Sequence, residues 1–168
     1  WFDTYETAKC TAELIGSGSP VDWLSFMRDD LTAKGYRCIP HGAKQPLVKY
    51  IDGQTYPASG PLWQKAELIS VALPPDVILI DLDGYKQNAA TVAEIANALG
   101  ITEAQLDEAK VQERTETRSI HWLFQVPHGH RIKAATSEWL PSVDIKVGNN
   151  NGLVNVKPHK AYSFPDVK

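Results

Sequence analysis

The chain has 168 residues, 43% hydrophobic and 22% charged, with 17 Lys and Arg against 20 Asp and Glu for a formal net charge of −3. That size suits one domain with a packed core, too apolar for a disordered chain and, at 11 Gly and 11 Pro, too poor in both for a collagenous one. No apolar stretch approaches the roughly 20 residues needed to cross a bilayer, and Trp1-Phe2-Asp3-Thr4 lacks the layout of a secretory signal, so the chain reads as cytosolic.

Residues 1–18 read as an N-terminal extension and 19–168 as one domain, with Trp1, Phe2 and Tyr5 packing on it or belonging to a truncated end. Ser19-Pro20 predicts an N-cap followed by Pro at the first helical position, and Val21, Leu24, Met27 and Leu31 recur at helical spacing up to Gly35. A helix from about Pro20 to Lys34 follows. Tyr36 to Ile39 reads as a short strand closed by Pro40, and a long loop runs through Ser59. Pro61 opens a short helix through Trp63 and Ala66 to Ile69, which Pro74-Pro75 ends.

Val77 to Ile80 is an apolar run that continues into Asp81-Leu82-Asp83-Gly84, a central strand ending in a polar turn. Asn88 predicts a cap for a helix lined by Val92, Ile95, Ala96 and Leu99 and stopped at Gly100, and Thr102-x-x-Gln105 reads as the capping box of another. Strands follow at Val111 to Thr115, Ile120 to Val126, Val143 to Val147 and Leu153 to Val156, with a further candidate at Ala161 to Phe164. Helices interleave early and strands cluster late, so the prediction is an α+β domain on a mixed or antiparallel sheet. His128-Gly129-His130 after Pro127 reads as a turn, since two His without a third ligand make no zinc site. Cys10 and Cys38 form no Cys-x-x-Cys pair and read as reduced, buried small hydrophobes.

The net charge speaks against a broadly basic nucleic-acid-binding coat, although Lys and Arg outnumber Asp and Glu by three from His128 onward. Three polar pairs ride on the strand-like segments. Asp81 and Asp83, two apart, share a strand face, where two nearby carboxylates repel unless a hard divalent cation lies between them; a polar strand end with an Asp-Gly turn is the alternative. Ser119 and His121 likewise share a face, and with Arg118 they suit anionic phosphate oxygens, or form a structural pair beside Trp122. A Ser–His nucleophile is disfavoured because i, i+2 strand neighbours seldom bring Oγ to the ring and no strand-to-helix elbow surrounds Ser119. Asp144 and Lys146 in Val143-Asp144-Ile145-Lys146-Val147 are either solvent-facing alternation or a third acidic group with its cation. Together the three pairs supply acidic groups for two metal ions and cations for a triphosphate, the inventory of in-line nucleotidyl transfer.

In this order the motifs resemble the primase–polymerase (Prim-Pol) domain of the archaeo-eukaryotic primase superfamily, found in replication proteins of plasmids, phages and other mobile elements. The family pattern is hydrophobics before Asp-x-Asp, then Ser-x-His, then a hydrophobic before Asp or Glu. It maps here onto Val77 to Asp83, Ser119-Ile120-His121 and Val143-Asp144, with Gly35 to Pro40, Lys44-Gln45-Pro46, Trp63 and Leu73-Pro74-Pro75 in support. The resemblance implies an RRM-like sheet core with flanking helices and a small accessory α/β lobe. It implies Asp81, Asp83 and Asp144 as ligands of Mg²⁺ or Mn²⁺, and Ser119 and His121 on the triphosphate of an incoming nucleotide, with Arg118 and Lys146 added to them. Its partners would be a single-stranded DNA template or primer, nucleoside triphosphates and a helicase in a larger replication protein. Lys157, His159 and Lys160, basic groups in a strand-and-turn context of their own, either face the phosphates of a nucleic acid or simply solvent. Where many members carry a Gly-rich turn at the second motif, this chain has Thr117-Arg118-Ser119-Ile120-His121.

Two rivals remain. Ile80-Asp81-Leu82-Asp83-Gly84 also matches the nucleophile strand of haloacid-dehalogenase phosphatases, although Tyr85 replaces the Thr or Val expected there and no later Asp-Asp follows. A non-catalytic single-strand-binding module would use Trp122 and Phe124 as stacking platforms. No Walker-type loop is present, and Gly16-Ser17-Gly18 lacks the third Gly of a dinucleotide fingerprint.

Overall fold

The computed structural model describes residues 22–49, 55–148, 152–157 and 162–167. They fall into two compact units, one from the chain up to Ala72 together with Leu153 onward, the other from Leu73 to Gly152. Every strand pairing in both is antiparallel. The architecture is α+β, as the sequence predicts.

In the first unit, helix α1 (Trp23–Ala33) is capped by Asp22, whose carboxylate accepts the Ser25 N–H at 3.2 Å and the Ser25 hydroxyl at 2.6 Å. The predicted N-cap Ser19 and first helical residue Pro20 lie outside the described residues, as do residues 1–18 with Cys10. Met27 and Leu31 are the helix's buried residues. Gly35 ends it at φ +96°, with Tyr36 N–H on Leu31 O and Gly35 N–H on Thr32 O, a paired closure that needs the left-handed residue.

Strand β1 (Arg37–His41) runs on through Pro40 instead of stopping there. Among the named strands it pairs with β2 (Leu68–Ala72) alone, at the edge of the order β1-β2-β8 with β8 (Leu153–Val156), and an edge strand tolerates a missing N–H. The helix expected from Pro61 to Ile69 is a correction. It is one 3-10 turn, Pro61–Lys65, and the β-branched Ile69 and Val71 draw the following residues into β2, pairing them with β1 and β8.

Of the Ala161 to Phe164 candidate, Ala161 is outside the described residues and no named strand covers the rest. Tyr162 instead donates its hydroxyl to Asp30 at 2.8 Å, and Phe164 packs edge-on against Tyr36 at 5.3 Å. Cys38 is a free, buried thiol that burial pushes up to about 11, so it stays neutral at physiological pH.

The second unit is a five-stranded sheet in the order β4-β5-β3-β7-β6, formed by β3 (Val77–Asp83), β4 (Lys110–Arg114), β5 (Ser119–Gln125), β6 (Ala135–Leu140) and β7 (Val143–Val147). Its apolar run puts β3 at the centre, where both edges are paired. Helices α2 (Val92–Leu99) and α3 (Glu103–Glu108) close one face, where Ile80, Leu82, Trp122 and Val143 pack with Ile95, Ala96 and Leu106.

Both helices begin with capping boxes, Thr91 with Glu94 and Thr102 with Gln105. The predicted cap Asn88 is instead a turn residue at φ +61°, a conformation Asn tolerates; Thr91 wins because Glu94 answers it three residues on. Pro127 to His130 forms a turn closed by His130 N–H on Pro127 O at 3.1 Å. The sequence missed β6, an edge strand with exposed Thr136, Ser137 and Glu138 and a register shift between Thr136 and Leu140.

Candidate active site

Side chains at i and i+2 share a strand face, so the face opposite α2 and α3 carries Asp81 and Asp83 of β3, Ser119 and His121 of β5, and Asp144 and Lys146 of β7. Register turns this list into a row. Asp81 lies opposite His121 on one side and Asp144 on the other, and the row runs on to Gln112 of β4 and Thr136 of β6. One step along, Asp83 lies opposite Ser119, while Lys146, opposite Leu79, reaches diagonally toward Asp81. Three motifs dispersed over more than 60 residues of sequence thus converge on adjacent strands.

Each acidic group already has a donor. Asp81 Oδ1 takes His121 Nε2 at 3.1 Å and Oδ2 takes Lys146 Nζ at 3.4 Å. Burial pushes the Asp81 carboxyl up, but the His121 hydrogen bond and the charges of His121 and Lys146 outweigh it, and the net shift is below the ordinary carboxylate value. Asp83 pairs with Lys86 Nζ at 2.5 Å, and Asp144 Oδ1 accepts the Ser137 N–H at 3.1 Å. Ser119 and His121 are 7% and 6% exposed, and Ser119 Oγ accepts from Thr117 Oγ1 at 3.1 Å, which leaves its own proton free to donate. His121 Nδ1 is buried and, among the described residues, has no hydrogen-bond partner. Ser119 and His121 therefore face different partners and do not form a nucleophile pair.

Among the described residues no three His, Cys, Asp or Glu side chains form a ready metal cluster. The donor set nevertheless fits a hard divalent cation. Asp81 and Asp144 are direct cross-strand neighbours, about 4.5–5.5 Å apart at Cβ, and Asp83 stands about 7 Å along the same strand. All three present carboxylate oxygens, the ligands such ions prefer. A cavity of about 290 Å³, lined in part by Thr136 and Glu138, opens beside Asp144 and Lys146.

Gly84 fixes the end of β3. A Cβ there would lie 2.0 Å from Arg118 O, so only glycine lets the β4–β5 turn pass over the Asp83-Gly84 backbone. Arg118 sits in that turn at φ +53° and lines a different cavity, bounded by residues 84–92. The structure thus separates it from the row that holds Ser119 and His121. Lys157 follows β8 in the first unit, and His159 and Lys160 lie outside the described residues.

Three participants escaped the sequence. Lys86 follows Asp83 by three residues across the turn, a spacing that could have been read as an ion pair. Ser137 contributes a backbone N–H, which no side-chain pattern announces. Gln112, 3% exposed, joins the row only because a register shift between Lys110 and Gln112 breaks the alternation of β4.

The rivals fare worse. β3 pairs antiparallel with both neighbours, whereas a haloacid-dehalogenase nucleophile strand sits in a parallel sheet. Trp122 is 1% exposed in the core under the helices and Phe124 packs against that core, so neither offers a stacking platform. No helix among the described residues is long and apolar enough to cross a membrane.

Against known proteins, the family model described as the N-terminal domain of bifunctional DNA primase/polymerases, Prim-Pol, matches residues 29–164, which takes in all three motifs. No curated protein matches the chain.

Proposed function

The chain belongs to the Prim-Pol family of bifunctional DNA primase/polymerases, and on that premise we propose that the row on β5, β3 and β7 is a two-metal site for template-directed nucleotidyl transfer on single-stranded DNA. The observation that carries the reading is the register of Asp81 with both His121 and Asp144, which gathers the family's three motifs on one sheet face. In this reading residues 19–168 are the catalytic domain, residues 1–18 are an extension, and a helicase of the same plasmid or phage replication machinery works beside it.

Asp81, Asp83 and Asp144 would hold Mg²⁺ or Mn²⁺. Bound there, the ions supply a lowered pKa for the attacking 3′-hydroxyl and neutralisation of the leaving pyrophosphate. The chain supplies placement and charge. Asp81 is ionised at neutral pH because its carboxyl is held below the ordinary range, so no proton need leave before a cation enters. Lys146 and Lys86, paired with Asp81 and Asp83, are the cations of the chain that would stand beside the phosphates of a nucleotide held there. Ser119 Oγ–H would donate to a triphosphate oxygen from this strand face, and His121 would do so by turning its Nε2–H away from Asp81 Oδ1, which it holds at 3.1 Å.

The test is direct. Purified chain with Mn²⁺, a single-stranded template and labelled nucleotides is expected to give extended strands or dinucleotides, and Asp83→Ala none. Absence of product from the wild type under these conditions would withdraw the enzymatic reading.

A further inference from the structure

The second cavity of the five-stranded unit lies where β3 ends and has no part in the row of carboxylates. It measures about 580 Å³, within the range of small-ligand sites. Its floor includes Leu82 and Ile120, which alternate with the row residues and so belong to the opposite sheet face. Its rim carries Tyr85, Lys86 and Arg118. Tyr85 is 57% exposed, an unusual position for a ring of that size in a packed unit. Arg118 is exposed and, among the described residues, makes no ion pair or side-chain hydrogen bond, although Gly84 lets its backbone seat firmly on the strand end. The one acidic lining residue, Glu113, pairs with Lys110 at 2.8 Å, which Asp107 shares at 2.9 Å.

An apolar floor, an exposed ring and a free guanidinium are what a nucleotide unit needs: a surface for the base, a stacking face and a phosphate partner. The occupant must also reach the catalytic row. Lys86 spans the two, lining the cavity while its Nζ holds Asp83. A free nucleoside triphosphate seated here would lie on the sheet face opposite Asp81 and Asp144. A polymer can pass the end of β3 and lead from one place to the other. We propose that this cavity takes a nucleotide of the single-stranded DNA template, with Arg118 on its backbone phosphate and Tyr85 against its base. The proposal rests on the primase–polymerase reading of the neighbouring row.

The experiment is fluorescence anisotropy of a labelled oligo-dT with the metal chelated, across a salt series, for the wild type, Arg118→Glu and Tyr85→Ala, with melting temperatures as a check on folding. Arg118→Glu is expected to weaken binding about tenfold and to make the log-affinity against log-salt slope shallower by about 0.7, the loss of one phosphate contact on a single strand. Tyr85→Ala, at an exposed position, is expected to weaken it about fivefold or more. Unchanged affinity and slope in both variants, or no binding by the wild type, would overturn the proposal. So would unchanged oligo-dT binding in both variants together with a loss of binding of a labelled nucleoside triphosphate titrated in parallel, which would hand the cavity to the incoming nucleotide. Because this assay needs neither metal nor catalysis, a chain that binds as described yet extends nothing would leave the cavity standing and remove only the catalytic reading.

Discussion

The two faces of the five-stranded sheet are built from alternate residues of the same strands, yet they obey different physics. Ile80 and Leu82 of β3 are 1% and 3% exposed among the side chains of α2 and α3, where burial of apolar area holds the unit together. Between and beyond them, Asp81 and Asp83 face the other way into a field of His121, Lys146 and Lys86. Carboxylates on that face cost desolvation, which cross-strand donors offset. The helix-covered face therefore specifies the fold, while the polar face is held by charge pairs that another cation can replace. Substitutions on the two faces should separate stability from chemistry.

The largest expected effect is on the covered face. Trp122→Ala should cost about 3–5 kcal/mol of stability, read by urea unfolding, with activity falling only as the folded fraction falls. Asp83→Ala should do the reverse, lowering Mn²⁺-dependent incorporation by at least about 100-fold while the melting temperature moves by about 2 °C or less, since the side chain is partly exposed. If Asp83→Ala unfolded the chain, or Trp122→Ala left stability untouched, the division between faces would fail. A smaller effect sharpens it: Thr102→Ala removes the α3 cap oxygen and should cost about 1 kcal/mol in the same unfolding measurement.

The smallest effect is a matter of pH. The folded-state pKa of Asp81 is lowered, so its contribution to stability is complete above the unfolded value of about 3.9 and is lost as pH falls through the lower folded value. Acid unfolding below about pH 4 should therefore be shallower in Asp81→Asn than in the wild type. A curve of the same steepness in both would show that the pairing with His121 and Lys146 adds nothing to the folded state.

How much of this was legible in the sequence follows from the same contrast. β3, β7 and β8 announce themselves because their apolar residues are unbroken or strictly alternating, and Gly100 and Thr102-x-x-Gln105 mark helix ends by local chemistry alone. β2 was hidden behind Pro61 and Trp63, where a helix start is genuine but stops after one turn, and β6 behind the exposed Thr136-Ser137-Glu138 that an edge strand tolerates. For the site, residue types and motif order were readable, and so was the sharing of a face within each strand. Register between strands was not, because the opposition of Asp81 to Asp144 depends on pairings across more than 60 residues. The separation of Arg118 from the row was legible in part: it stands one residue from Ser119, so alternation turns it to the other face, while its left-handed backbone in the turn was not foreseeable from the pattern.

The central claim is that Asp81 and Asp144, distant in sequence, belong to one metal-binding site. Titration of Mn²⁺ followed by electron paramagnetic resonance, with a nucleoside triphosphate present, measures this in the wild type, Asp81→Asn and Asp144→Asn. The account predicts saturable binding by the wild type and a loss of at least about tenfold in each variant. Wild-type affinity retained by either variant would contradict it.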